Sequence, residues 1–137
     1  MHLNPYLTFN GQCETAFRFY AECLGGQIVA MMTHADAPAE AQISPAWRNK
    51  IMHARLAVGD TLLMGSDSPP EHHENIKGCS VALQIETPAE AERVFQALAA
   101  QGTVQMPIQE TFWAQRFGML VDRFGVPWII NCEKPQE

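Results

Sequence analysis

The sequence predicts an α+β fold made of two tandem βαβββ modules, and three observations carry that expectation. The stretch from Phe112 to Ile130 holds two apolar runs, Phe117 to Val121 and Val126 to Ile130, on either side of Asp122-Arg123-Phe124-Gly125. Gly125 supplies the positive φ of a tight reversal and Asp122 a side chain able to bind the turn backbone, so this stretch reads as a β-hairpin. A weaker copy lies in the first half: Met52 to Val58, then Gly59-Asp60, then Thr61 to Gly65. Ahead of each hairpin the same order recurs, a short strand, an amphipathic helix and another strand.

In the first half, Leu3 to Phe9 alternates, with Leu7 and Phe9 on one face and Asn4, Tyr6 and Thr8 on the other, and stops at Asn10-Gly11. Cys13, Phe17, Tyr20 and Leu24 recur at helical spacing as a core stripe, and Gly25-Gly26 ends that helix. Gln27 to Thr33 reads as the second strand. His34 to Asn49, with Pro38 and Pro45, has neither period and reads as a long loop with a helical turn near Ala39 to Ile43; Trp47 within it suits a lid or a partner contact. Ile51 to Val58 sets Met52, Ala54, Leu56 and Val58 against His53, Arg55 and Ala57. Thr61 to Asp67 returns as a strand, and Glu71 to Gly78 is a polar connector.

The second half repeats the order. Cys79 to Glu86 places Val81, Leu83 and Ile85 on one face and Ser80, Ala82 and Gln84 on the other. Thr87-Pro88-Ala89-Glu90 is a capping box with proline at the first helical position. Ala91, Val94, Phe95 and Leu98 form the helical stripe, Gly102 closes it, and Thr103 to Gln109 is a strand interrupted by Pro107. The expected organisation is one domain over residues 1–137, with modules at about 1–68 and 79–137.

A chain of 137 residues has room for a core of its own without disulfides. Its net charge of −6 leaves no basic stripe for phosphates, so neither nucleic acid nor an anionic membrane surface is an expected partner. Cys13, Cys23, Cys79 and Cys132 show no CxxC spacing, the first residues resemble no secretory signal, and no apolar run nears bilayer-spanning length. The expectation is a cytoplasmic protein with reduced thiols.

A duplicated βαβββ unit resembles the vicinal oxygen chelate superfamily, which includes glyoxalase I, fosfomycin and bleomycin resistance proteins and extradiol dioxygenases. Pro5-Tyr6-Leu7-Thr8-Phe9-Asn10-Gly11, Ala16 to Tyr20, Leu24-Gly25-Gly26, Leu63 to Asp67 and the Trp113 to Trp128 stretch sharpen the resemblance to its PhnB-like branch. Members of that branch often carry the label 3-demethylubiquinone-9 3-methyltransferase-like. The resemblance implies a curved mixed sheet with helices on its convex side and a concave cleft, a homodimer, and a small organic ligand. It also implies that His53, Arg55, Ser80 and Gln84 face the cleft. The label's activity does not follow from the residues, because the Gly-rich turn and distal acidic residue of a Rossmann-type cofactor site are missing.

Metal-using relatives take ligands from the first and last strand of each unit. Those positions fall here on Asn4 or Pro5, on Ser80, on Leu63, Met64 or Gly65, and on Ile129, so no metal and no cofactor is expected. His53 with Asp67 makes only two ligands, and the consecutive residues His72-His73-Glu74 read as a solvated loop. His53, Asp67, Glu110 and Asp122 are the acid/base candidates; Asp122 reads as a turn residue and Asp67 as a strand-end cap. Cys13 and Cys132 have no adjacent basic group to favour a thiolate. Among the aromatic residues, Phe117 and Trp128 read as packing. Trp113, ahead of Gln115 and Arg116 in a segment before the seventh strand, reads as pocket wall. The branch would carry Gly and Asp where this chain has Ala114 and Gln115. The expected cleft residues are Tyr6, His53, Arg55, Asp67, Gln84, Trp113 and Gln115, with no catalytic residue assigned. A ligand-binding role leads; the alternatives are a metal-dependent lyase, isomerase or dioxygenase, and a small interaction or structural subunit.

Overall fold

Alternating apolar residues give each half of the chain a four-stranded mixed sheet with one helix on its apolar face. The computed structural model describes residues 1–38 and 45–135. The chain divides into units Met1–Glu74 and Asn75–Glu137, a division that falls inside the polar connector. The first unit contains β1 (Tyr6–Phe9), α1 (Cys13–Leu24), β2 (Gln27–Thr33), β3 (Ile51–Val58) and β4 (Thr61–Asp67). Its sheet has the order β1-β4-β3-β2, with β1 parallel to β4 and the other pairs antiparallel. The second unit contains β5 (Val81–Gln84), α2 (Pro88–Ala99), β6 (Thr103–Gln109), β7 (Ala114–Val121) and β8 (Pro127–Glu133). Its order is β5-β8-β7-β6, again with one parallel pair, β5 and β8. The repeat read from the sequence is therefore a repeat of topology.

Each helix sets an aromatic ring on a strand glycine. A Cβ at Gly65 would stand 2.9 Å from the Phe17 ring, and one at Gly118 would stand 2.6 Å from the Phe95 ring. Phe17, Tyr20, Ala54 and Leu56 are fully buried in the first core; Leu98, Leu120 and Ile130 are fully buried in the second, where Trp128 joins them.

Several boundaries differ from the sequence reading. β1 begins at Tyr6 rather than Leu3: Leu3 is fully exposed, and Pro5 has no N–H to donate, although its carbonyl accepts the Met64 N–H. β5 is shorter than Cys79 to Glu86, with Cys79 and Ser80 exposed ahead of it. β7 starts at Ala114, so Gln115 and Arg116 lie inside the strand and not before it. Between residues 34 and 49 the described part forms short 3-10 helices at His34–Asp36 and Pro45–Trp47; the turn expected near Ala39 to Ile43 lies outside the described residues.

The helix ends differ as well. Thr87 Oγ1 accepts the Glu90 N–H at 3.2 Å, which is half of the expected capping box. The Glu90 carboxylate instead holds Arg93, and that bond keeps its pKa below the usual value. After α2 the left-handed residue is Gln101, φ 62°, not Gly102. Gly102 serves a different need: a Cβ there would lie 2.4 Å from the Val121 carbonyl oxygen.

Candidate functional site

With the helices covering one face of each sheet, the candidate site residues sort by the face they occupy. In the first unit, Tyr6 and Arg55 both pair with Met64, which places the three in one row on the face away from α1. His53 lies two residues along β3 on that face. The Tyr6 and His53 rings stack at 5.8 Å with planes 26° apart, and the Tyr6 hydroxyl is hydrogen-bonded to His53 Nδ1 at 3.3 Å. Tyr6 is 47% exposed. The arrangement offers a ring, an imidazole and a guanidinium beside a thioether, groups suited to a flat polar molecule.

Asp67 is not part of this set, which corrects its place among the cleft candidates. Strand alternation turns it toward the helix side, where it is buried. Its Oδ1 accepts the Cys13 N–H and its Oδ2 the Ile51 N–H, both at 2.9 Å. It ties β4 to the first residue of α1 and the first residue of β3. Burial, with Asp67 and Glu14 adding repulsion, pushes the Cys13 thiol far up, so that sulfur is inert as a nucleophile.

In the second unit, Gln84 pairs with Asn131 and Asn131 with Phe117, a row on the face away from α2. Asn131 Nδ2 donates to Gln84 Oε1 at 2.8 Å, and the Asn131 Oδ1 is buried without a hydrogen-bond partner. Trp113 meets Phe117 at 5.3 Å and 69°, and Phe112 meets Trp113 at 4.8 Å. Phe117 is therefore an open-face residue and not core packing, because its neighbour Gly118 takes the helix side. Gln115 Nε2 donates to the Glu133 carbonyl at 2.7 Å. An open cavity of about 390 Å³ is lined by Gln84, Ile85, Glu86 and Glu133. Asn131 and Phe117 were missed from sequence. Asn131 was findable as the one amide among Ile129, Ile130 and Cys132, at the alternation position that β8 turns away from its helix.

The positions where metal-using relatives place ligands do not suit a divalent ion here. Met64 and Ile129 present a thioether and a hydrocarbon on the open faces, and Ser80 is an exposed hydroxyl ahead of β5. No group of three or more His, Cys, Asp or Glu residues converges among the described residues. His72 and His73 sit in a turn where their N–H groups bond to Pro69 and Pro70; His73 is half-buried, with Nδ1 unpartnered, and so less solvated than expected.

The doubled strand-helix-strand order and the sheet faces left open by the helices define a protein of the vicinal oxygen chelate fold. FosX from Listeria monocytogenes shares this fold alone, with a TM-score of 0.67 over 98% of this chain and 94% of that one at 8% identity. A family model described as 3-demethylubiquinone-9 3-methyltransferase matches residues 1–131, and the chain belongs to that PhnB-like family. It is 36% identical to Protein YjdN of Escherichia coli (strain K12), over 99% of this chain and 98% of that protein. It is 51% identical to protein PA1353 from Pseudomonas aeruginosa, with a TM-score of 0.90 over 98% and 99% of the two chains. The PhnB protein from Bacillus cereus superposes with a TM-score of 0.81 at 26% identity, over 96% and 99%. Among the described residues no helix is long and apolar enough to cross a membrane.

Proposed function

We propose that this chain binds a small organic ligand on the open faces of its sheets, without a divalent ion, and does so as a homodimer. The observation that carries the reading is the set Tyr6, His53 and Arg55 on the first sheet, chemically varied and turned away from the core. The donor chemistry at Met64, Ser80 and Ile129 supports the metal-free form. The metal-dependent alternative would route an ion through His53, yet Asp67, the second ligand considered from the sequence, has both oxygens on backbone N–H groups. Methyl transfer, which the family description names, lacks support for a similar reason: β1 is followed by Asn10-Gly11-Gln12 and not by a Gly-rich cofactor turn.

The test is metal analysis by mass spectrometry on tag-free protein, before and after dialysis against a weak chelator, followed by a thermal-shift screen of small organic molecules. Stabilisation by organic ligands, reduced in His53→Ala, is the expected result. Near-stoichiometric metal that survives dialysis would favour the enzyme alternative, and neither metal nor ligand would favour an interaction subunit. Light scattering at micromolar concentration should give twice the chain mass, since β1 and β5 are edge strands of their own sheets; a single-chain mass would remove the dimer.

A further inference from the structure

A buried amide oxygen without a partner is uncommon and destabilising unless water or a ligand supplies a donor. Asn131 is such a case: the residue is 9% exposed, its Nδ2 is bonded to Gln84, and its Oδ1 has no partner. Its place on the second sheet gives that acceptor a context. On one side lies Phe117, whose ring meets Trp113 at 69°, so two aromatic planes form a corner. On the other lies Gln84, which lines the cavity of about 390 Å³ together with Glu86 and Glu133. Phe117 and Gln84 flank Asn131 one strand away on either side, so aromatic corner and cavity wall are separated by roughly 10 Å, the length of a fused two-ring molecule.

The charges are one-sided. Neither Glu86 nor Glu133 forms an ion pair among the described residues, and no cationic side chain lines the cavity. The nearby cations are engaged elsewhere: Arg116 holds Glu92 at 2.8 Å and the Gln115 carbonyl, and Lys134 lies 3.7 Å from Glu110. Acceptors and negative charge beside aromatic faces favour a ligand that brings N–H donors or a positive charge, by hydrogen bonding, Coulomb attraction and cation–π contact together.

We infer that the open face of the second sheet is a subsite for a flat, amine-bearing heteroaromatic ligand, with its ring in the Trp113–Phe117 corner and its nitrogen directed to Asn131 Oδ1, Glu86 and Glu133. Gln84 acts as the cover: it is exposed, and turning it aside opens Asn131 to the ligand. This rests on the ligand-binding reading above and names the ligand class for one of its faces.

The experiment uses the full chain and three probes with the same ring: 4-aminoquinoline, quinoline and quinoline-4-carboxylate. Binding is followed by titration and by NMR of the side-chain amides of Gln84 and Asn131 and the Trp113 indole. The amine should bind about tenfold or more tighter than the carboxylate and shift the Asn131 amide. The paired surface changes Glu86→Gln and Glu133→Gln should remove that preference, and Trp113→Ala should weaken all bound probes alike. These residues are exposed, so the variants should stay folded. Binding of the carboxylate as tightly as the amine, or an Asn131 amide that does not move, would overturn the inference; in the latter case an ordered water satisfies Oδ1. If quinoline or its carboxylate binds this face without amine preference, ligand binding stands and only the assigned class fails. If no probe binds, the assigned class fails too, and the wider screen decides separately whether the chain binds ligands at all.

Discussion

The carboxylate of Asp67 accepts the backbone N–H of Cys13 at 2.9 Å, joining the last residue of β4 to the first residue of α1. Its other oxygen takes the Ile51 N–H where β3 begins, so one side chain fixes three element ends. Asp67→Ala would leave two buried donors unpaired, and we expect it to cost roughly 2–4 kcal/mol. Asp67→Asn keeps the shape and one acceptor and should cost about half as much. Urea unfolding would show this as a lower midpoint at unchanged slope. An effect of Asp67→Ala within error would mean that the two bonds are replaced by water.

Cys13 gives a pH prediction. Its pKa is raised well above the ordinary 9.0 by burial, then by Asp67 and Glu14. Below pH 9.0 the thiol is protonated in both the folded and the unfolded chain, and the group has no effect on the pH dependence of stability. Above 9.0 the unfolded chain loses the proton while the folded chain keeps it, so stability falls as pH rises. Urea midpoints at pH 8 and pH 10 should therefore differ more in wild type than in Cys13→Ala. In the folded protein at pH 8 exposed Cys79 should react with a thiol reagent while Cys13 stays unmodified. Equal labelling of the two would contradict the burial argument.

Close approach makes a third prediction. A Cβ at Gly102 meets a carbonyl oxygen, and one at Gly118 meets the Phe95 ring and the Ile108 backbone. At Gly59 nothing lies within 4 Å, and the cost comes from φ 56° alone. Gly102→Ala and Gly118→Ala are thus expected to destabilise by roughly 1–3 kcal/mol, and Gly59→Ala by about 1 kcal/mol. Thermal melts of the three variants rank them directly. Gly59→Ala falling below the other two would reverse the argument.

The glycines also show what the sequence could convey. Periodicity and turn chemistry are local signals, so the two hairpins, both helices and the doubled strand order were legible from runs such as Thr87-Pro88-Ala89-Glu90 and Val121 to Val126. Gly102 looked like a helix stop because a glycine after an apolar stripe usually is one, whereas its contact with Val121 comes from β7, the strand paired with β6 and distant in sequence. Asp67 was expected in the cleft, whereas alternation along β4 turns it to the helix side, and its bonds to Cys13 and Ile51 join residues 54 and 16 positions away. Of the expected cleft residues, Tyr6, His53 and Arg55 share a face because strand pairing sets β1 and β3 on either side of β4. Phe117 was read as packing because it is an aromatic residue in a strand, whereas Gly118 takes the helix side of β7 and leaves its neighbour Phe117 on the other face.

Asp122 links the turn to the second core. It was expected to bind the turn backbone, and its Oδ1 accepts the Phe124 N–H at 2.8 Å and the Val126 N–H at 3.0 Å. Its Oδ2 in addition accepts the indole N–H of Trp128 at 2.9 Å, a bond buried beneath the hairpin. Trp128→Phe removes that donor and leaves most of the ring volume, so its cost separates into a small packing loss and the bond itself. Asp122→Ala removes the turn bonds as well and should be the more damaging single change. In a double-mutant cycle the two changes should couple by about 1–2 kcal/mol, because the second adds nothing for a bond already lost. A coupling near zero would show that the indole bond contributes nothing beyond burial of the ring. Asp122 would then act on the turn alone, and the hairpin and the core it covers would be held independently.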